Sequence, residues 1–299
     1  MLMNNANPDL PKVLYIMGTA RSGSTILEIL LSKGKGVFGA GELTSLIQDG
    51  FIENKQCSCG SSCADCDVWG RVSEILKLDK QELEEWAALQ KKMDWHDGFL
   101  RQLFSMVSRK DTLSYRELNT RLLMVIKEVT GCNIILDSSK YAGRAIALAR
   151  IVDADVRVIC LTRSPAGLMA SFQKPNKEEQ RPKRPAAALL YYLVTLASLR
   201  IASALSGRRV YRLSYEALLA NPNRVLREIE AWSGVDLSDV RGQLNKEKPF
   251  PVGHLVTGNR LRKQGEVRFE PRMNNAAPAG LKAKAAVVVM NGWRWMLGF

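Results

Sequence analysis

Residues 18–25 read Gly-Thr-Ala-Arg-Ser-Gly-Ser-Thr and follow directly on the apolar run Lys12-Val-Leu-Tyr-Ile-Met17. The apolar positions of Thr25-Ile-Leu-Glu-Ile-Leu-Leu-Ser32 then fall at helical spacing. A buried strand, a tight glycine loop and a helix in immediate succession commit the chain to an α/β fold. The frame matches G-x4-G-K-[ST], a loop whose backbone N–H groups and helix N-terminus hold phosphate oxygens. The lysine position is Ser24, and the positive charge sits at Arg21. Such a loop keeps its glycines, hydroxyls and a cation but lacks the lysine that serves β- and γ-phosphates. It points to an anion other than a nucleoside triphosphate.

The chain has 299 residues, 46% hydrophobic, with a net charge of +13. That surplus suits nucleic acid, an anionic surface or a polyanionic ligand. No zinc-finger, helix-turn-helix or RNP-like pattern accompanies it, so nucleic acid is the lesser reading. Basic residues concentrate near 174–184 and 260–272. The polar start, Met1-Leu-Met-Asn-Asn-Ala-Asn-Pro-Asp, has no signal-peptide pattern. No stretch reaches the roughly 18 uninterrupted apolar residues of a membrane span. A cytoplasmic protein with no transmembrane segment is therefore expected. The apolar C-terminus 285–299 is broken by Asn291, Gly292 and Arg294, and reads as a packing helix.

Strand-like runs recur at 12–17, 132–136, 156–162 and 209–213, each followed by a helix-compatible segment, with a short fifth strand near Val37-Phe38. This is the rhythm of a parallel sheet covered by helices. The expected fold is α/β and P-loop-like, with a mostly parallel central sheet, helices on both faces and a helical insertion over about 70–129. One domain spans 1–299, ending in a tail and helix over about 250–299. The segment 186–206 is apolar almost all round and is expected to be deeply packed. Asn221-Pro222 and Gly234 bound a further helix. Residues 173–185 form the stretch of lowest expected order.

A second anion-site candidate, Arg163-Ser-Pro-Ala-Gly-Leu-Met-Ala-Ser171, follows the strand at 156–162. An arginine at a strand end and a serine two turns into the next helix can converge on one anion, and ligands gather at strand C-termini in open sheets. The surface alternative, a solvated arginine and serine, stands beside it. Taken with Leu213-Ser-Tyr-Glu-Ala-Leu-Leu-Ala-Asn-Pro222 and His254-Leu-Val-Thr-Gly-Asn-Arg-Leu-Arg262, these segments resemble the sulfotransferases that use 3′-phosphoadenosine 5′-phosphosulfate (PAPS). The likeness is to bacterial members, with a loop similar to that of tyrosylprotein sulfotransferases, and runs in family order from 12 to 262.

The resemblance implies transfer of a sulfuryl group from PAPS to a hydroxyl or amine by in-line displacement. Arg21 would stabilise the leaving phosphate, while the amides of Ser22, Gly23 and Ser24 and the hydroxyls of Ser24 and Thr25 would cradle the 5′-phosphate. Arg163 and Ser171 would hold the 3′-phosphate. Tyr215 would contribute to the cofactor site, and Arg260, Arg262 and Lys263 would close over it. Gly41-Glu42 resembles the element carrying the catalytic glutamate in tyrosylprotein sulfotransferases, which makes Glu42 the general base; its plain alternative is a glutamate set against a helix dipole. His96 and His254 do not fall where cytosolic members place their histidine. Asp137-Ser-Ser-Lys140 also has bacterial counterparts, assigning Lys140 to the sulfonate and Ser139 to positioning. Asp137 reads as the N-cap of a helix from about Ala142 ahead of an alternative role as base.

Cys57, Cys59, Cys63 and Cys66 lie within ten residues. Clustered thiols in a reducing compartment suggest zinc before disulfides, but this spacing is tighter than paired Cys-x2-Cys knuckles. A disulfide or free thiols in a structural loop is the preferred reading, with zinc second, and no metal is assigned to the reaction. Cys132 and Cys160 are expected in strand cores. The basic segment 174–184 is either a lid over the acceptor or a solvated loop. A small molecule, carbohydrate or peptide all fit as acceptor. Two other functions compete: a P-loop kinase or NTPase, with Ile134-Ile-Leu-Asp137 as its magnesium strand, and a non-catalytic polyanion-binding protein.

Overall fold

The structure is a computed structural model describing residues 9–104, 106–152, 154–174, 182–206, 209–271 and 277–299. Most of the basic segment 174–184 lies outside the described residues, so the lid reading falls there too.

Five strands form a wholly parallel sheet: β1 (Lys12–Gly18), β2 (Val37–Gly41), β3 (Ile134–Lys140), β4 (Val156–Thr162) and β5 (Val210–Ser214), in the order β2-β3-β1-β4-β5. Along β1, Val13, Tyr15 and Met17 enter one core while Leu14 and Ile16 enter the other. Burial on both faces explains why the central strands β1 and β4 read as near-continuous apolar runs rather than alternating ones. Cys160 is buried in β4 as expected, but Cys132 precedes β3 and is only half-buried, its thiol turned back to the Thr130 carbonyl.

Helix α1 (Ser24–Leu31) leaves the glycine loop, and α2 (Leu43–Ser45) follows β2 and continues into a π-helix over Leu46–Ile52. Between β2 and β3 stand α3 (Trp69–Leu76), α4 (Lys80–Asp94), α5 (Gly98–Leu103) and α6 (Arg109–Thr130). A capping box starts α4, in which Asp79 accepts from the Glu82 N–H and Glu82 accepts from the Asp79 N–H. Then come α7 (Ala142–Ile151), α8 (Pro165–Gln173), α9 (Pro185–Ser206), α10 (Tyr215–Ala220), α11 (Pro222–Ser233), α12 (Ser238–Asn245) and α13 (Leu281–Met296). Helix α11 has the anticipated bounds: Asn221 caps the Arg224 N–H, and Gly234 ends it at φ 74°.

Two expectations need correcting. Helix α9 is long and apolar enough to cross a membrane by length and composition, yet only one side of it is buried, through residues such as Tyr192, Leu196 and Leu199. Leu190 and Val194 are exposed, so the uniform apolarity is not uniform burial. Strand β3 extends through Asp-Ser-Ser-Lys to Lys140, because β2 pairs with it as far as Asp137 and β1, after a register shift, as far as Lys140. It thereby delivers Ser139 and Lys140 to the end of the sheet.

The chain runs from β3 on one side of β1 to β4 on the other. In open parallel sheets, the crevice outside the strand C-termini at such a reversal is where ligands bind.

Candidate active site

A cavity of about 750 Å³ opens at that position, within the size range of small-molecule sites. Its floor is the β1–α1 loop. Arg21 (φ 66°) and Gly23 (φ 90°) both adopt left-handed backbone, which folds the loop back under the start of α1. Gly23 is required twice over, because a Cβ there would stand 2.3 Å from the Tyr215 ring. Arg21, Gly23, Ser24 and Thr25 all face the cavity. Ser22 does not: it is buried, and its N–H donates to the Thr19 carbonyl (3.2 Å), so that amide is spent inside the loop.

Arg163, just beyond β4, braces the loop. Its Nη1 donates to the Arg21 carbonyl (2.9 Å), and its guanidinium lies 4.8 Å from the Tyr215 ring centroid. Burial and then the nearby Arg21 charge pull its pKa down, against the raising effect of Tyr215 and Glu216. Glu216 accepts the Ser164 N–H (2.9 Å), tying the start of α10 to the start of α8. Ser171, two turns into α8, lines the same cavity, as does Tyr215. Among buried polar atoms without a hydrogen-bond partner are Thr19 Oγ1, Ser22 Oγ and Arg163 Nε, all at this loop. Buried polar groups are normally satisfied; of these three only Arg163 belongs to the cavity lining, so its Nε is the orphan that suits a polar ligand, while Thr19 and Ser22 lie beneath the lining.

Glu42 and Lys140 meet on the other side in an ion pair between Oε1 and Nζ, each about one-fifth exposed. Glu42 stands at the N-cap of α2 but its side chain caps nothing. That is the position the helix-dipole alternative gives it, so the alternative stands beside the Lys140 contact. Ser139 also lines the cavity; its Oγ accepts from the Thr44 N–H (3.0 Å) and donates to Asp137.

Asp137 is fully buried and lies outside the cavity lining. Its Oδ2 accepts from Arg144 Nε at 2.7 Å, and Arg144 Nη1 reaches Asp94 Oδ2 at 2.9 Å. Asp94 in turn accepts from the Tyr115 hydroxyl (2.5 Å). Asp137 is thus not the cap, since the N-cap of α7 is Tyr141, and it reaches the cavity only through Ser139. Its arginine partner also leaves it ill placed as a magnesium ligand, which removes the main support for the kinase reading.

Three features of the site carried no local sequence signal. Glu28, in α1, is wholly buried beneath the loop and accepts from the Gly41 N–H and Ser138 Oγ, each at 2.6 Å. Burial pushes its pKa up to about 7, against the lowering effect of those two bonds. His96, in the turn after α4, lines the cavity although its position matched no expected histidine. Its ring packs edge-on to Tyr141 at 4.9 Å, and burial lowers its pKa to about 4. Tyr191 of α9 holds the Ala20 N–H through its hydroxyl at 2.7 Å, and Lys183 lies 4.4 Å from its ring centroid.

The C-terminal arm contributes Thr257, Gly258, Asn259 and Arg262 to the wall. Arg260 and Lys263 are exposed and outside the lining. Residues 260–264 form a 3-10 helix, in which i and i+3 share a face, so both turn away when Arg262 turns in. All six cysteines are free thiols, one of the two preferred expectations, but the grouping departs from the expected four: Cys57, Cys59 and Cys66 gather with His254 rather than with Cys63. Cys63 instead faces inward against Gly50, where an added Cβ would meet its Sγ at 3.0 Å.

A parallel α/β sheet with an arginine-braced glycine loop facing a carboxylate–lysine pair forms a cavity suited to an anionic ligand. The sequence profile of the sulfotransferase family matches residues 12–239, and the chain belongs to that family. Among solved structures it is similar to the sulfotransferase domain from the curacin biosynthetic pathway, at 18% identity and a TM-score of 0.50 over 94% of this chain and 98% of that one. It is likewise similar to the sulfotransferase domain of the Synechococcus PCC 7002 olefin synthase, at 17% identity and a TM-score of 0.50 over 96% and 97%. At these identities the likeness is one of fold alone. Comparison with curated proteins gives no match.

Proposed function

We propose that this chain, acting as one unit, transfers a sulfuryl group from PAPS to a hydroxyl or amine of its acceptor. The observation that carries the reading is the convergence of Arg21, Arg163 and Ser171 on a cavity floored by the α1 N-terminus, with Glu42 and Lys140 in contact across it. The α1 N–H groups and the Ser24 and Thr25 hydroxyls bind the 5′-phosphate. Arg163 and Ser171 take the 3′-phosphate, with Tyr215 beside them, and Arg262 closes the site from the arm.

In the reaction the acceptor oxygen or nitrogen attacks sulfur, forming one bond while the sulfur–oxygen bond to the phosphate breaks. The electron pair stays on the leaving phosphate, where Arg21 stabilises it. Glu42 takes the acceptor's proton, and Lys140 neutralises the sulfonate oxygens, with Ser139 fixing the end of β3. The contact between Glu42 and Lys140 keeps the base and the sulfonate cation side by side before substrate enters. A second reading gives the proton to His96, which burial keeps neutral and which shares the cavity.

The test is thermal denaturation with adenosine 3′,5′-bisphosphate against ATP-Mg²⁺. A ligand binding only the native state at 100 times its Kd adds about 2.7 kcal/mol. Stabilisation by the bisphosphate is the expected result, with the affinity it reports several-fold to a hundredfold weaker in Arg163→Ala through loss of charge-assisted bonds. Stabilisation by ATP-Mg²⁺ alone would overturn the proposal.

A further inference from the structure

We infer that Cys57, Cys59, Cys66 and His254 form a structural zinc site that fastens the cysteine loop to the arm walling the cavity. One ligand atom from each of the four lies within 4.8 Å of all the others. Cys57 Sγ and Cys66 Sγ are 3.7 Å apart, and Cys66 Sγ stands 3.2 Å from His254 Nδ1. Zinc bonds of about 2.3 Å to sulfur and 2.0–2.1 Å to nitrogen, set tetrahedrally, give edges of about 3.8 Å and 3.6 Å. A disulfide needs its sulfurs at about 2.05 Å, so the Cys57–Cys66 separation matches a coordination edge and not a bond. Three thiolates and an imidazole are one of the established structural zinc sets, and four protein ligands leave no open position for catalysis.

The backbone around these residues is already tied together. Ser58, between two of the cysteines, donates its N–H to the Leu255 carbonyl (2.9 Å), while its Oγ donates to the Gly253 carbonyl (2.6 Å) and accepts from the Leu255 N–H (2.7 Å). Trp69 Nε1 donates to the carbonyl of His254 itself (2.7 Å). Gly60 turns the loop at φ 100°, and its N–H returns to the Cys57 carbonyl at 3.0 Å. Every residue from 253 to 255 is therefore held by a group on the cysteine side, which fixes the imidazole toward the thiols without any metal. Binding zinc displaces the thiol protons to solvent and closes the last link. The arm that begins at His254 supplies Thr257, Gly258, Asn259 and Arg262 to the cavity wall, and Arg262 Nη1 reaches back to the Gln56 carbonyl at 2.9 Å. The metal thus adds a further tie between the cysteine loop and the wall without entering the reaction.

The test uses the full chain purified under reducing, chelator-free conditions and needs no activity assay. Elemental analysis should find one zinc per chain, and cobalt exchanged into its place should give tetrahedral ligand-field bands with thiolate-to-cobalt charge transfer. Losing a group that merely hydrogen-bonds a metal ligand costs about 10–100-fold in metal affinity, so Cys59→Ser and His254→Ala, which remove ligands themselves, should each weaken zinc by at least that much in a chelator competition. Cys63→Ser should hold zinc as the parent does, and His254→Cys should restore the site. Parent protein with neither zinc nor a thiolate–cobalt spectrum overturns the inference, whether or not any variant folds. So does a Cys63→Ser protein that loses its metal as Cys59→Ser does.

Discussion

Replacing Glu28 with glutamine tests the buried scaffold that joins the glycine loop to the rest of the site. Glu28 binds the N–H of Gly41, next to Glu42, and the hydroxyl of Ser138, next to Ser139. Its pKa rises to about 7 from 4.5, chiefly because burial disfavours the charge. The folded protein therefore holds a proton that the unfolded chain releases between pH 4.5 and 7. Stability from this linkage is fully present below pH 4.5 and lost as pH rises through 7. At about 1.4 kcal/mol per pKa unit, the loss comes to about 3 kcal/mol. Glutamine keeps both hydrogen bonds, its oxygen accepting from Gly41 and its amide donating to Ser138, and never ionises. Urea unfolding at several pH values should show Glu28→Gln gaining on the parent as pH rises from about 5 to about 8. Because all other groups are shared, the difference isolates Glu28. A difference that stays flat across that range would refute the argument.

Glu42→Gln should lower kcat strongly while leaving adenosine 3′,5′-bisphosphate affinity nearly unchanged. If His96→Gln does so instead and Glu42→Gln does not, the proton passes to the imidazole. Arg144→Met leaves Asp137 and Asp94 buried without their cation, and should cost about 3–5 kcal/mol of unfolding free energy; a loss below 1 kcal/mol would contradict the buried-pair assignment. Gly23→Ala combines a left-handed backbone with a 2.3 Å collision against Tyr215. It should destabilise the protein by at least the roughly 1–2 kcal/mol of the backbone term and weaken bisphosphate binding, both read from thermal unfolding with and without ligand.

Sequence patterning locates β1, β4 and the first half of β3 most plainly, because these central strands are buried along nearly their whole length and read as apolar runs, whereas the edge strand β5 is only partly buried. It also marks the helix bounded by Asn221 and Gly234, since caps are local chemistry. It fails where burial depends on a neighbour. Helix α9 has apolar residues on every side, and only its packing shows which side lies open. Asp137 looks like a cap or a base within its own segment, because its partner Arg144 becomes relevant only when α7 folds back over β3.

The chain's order of residues determined by itself that a strand, a left-handed glycine loop and a helix N-terminus would stand together, since those are consequences of backbone sterics and spacing over a dozen positions. It also placed Arg163 and Ser171 at the start of the next helical layer. Tertiary structure alone decided that Glu42 would pair with Lys140, 98 residues away. It alone brought His96 to the cavity, turned Arg262 inward and Arg260 outward, and gave the cysteine loop His254 in place of Cys63. Those outcomes are set by how separate loops pack at the end of the sheet, and no local periodicity encodes the distance between them.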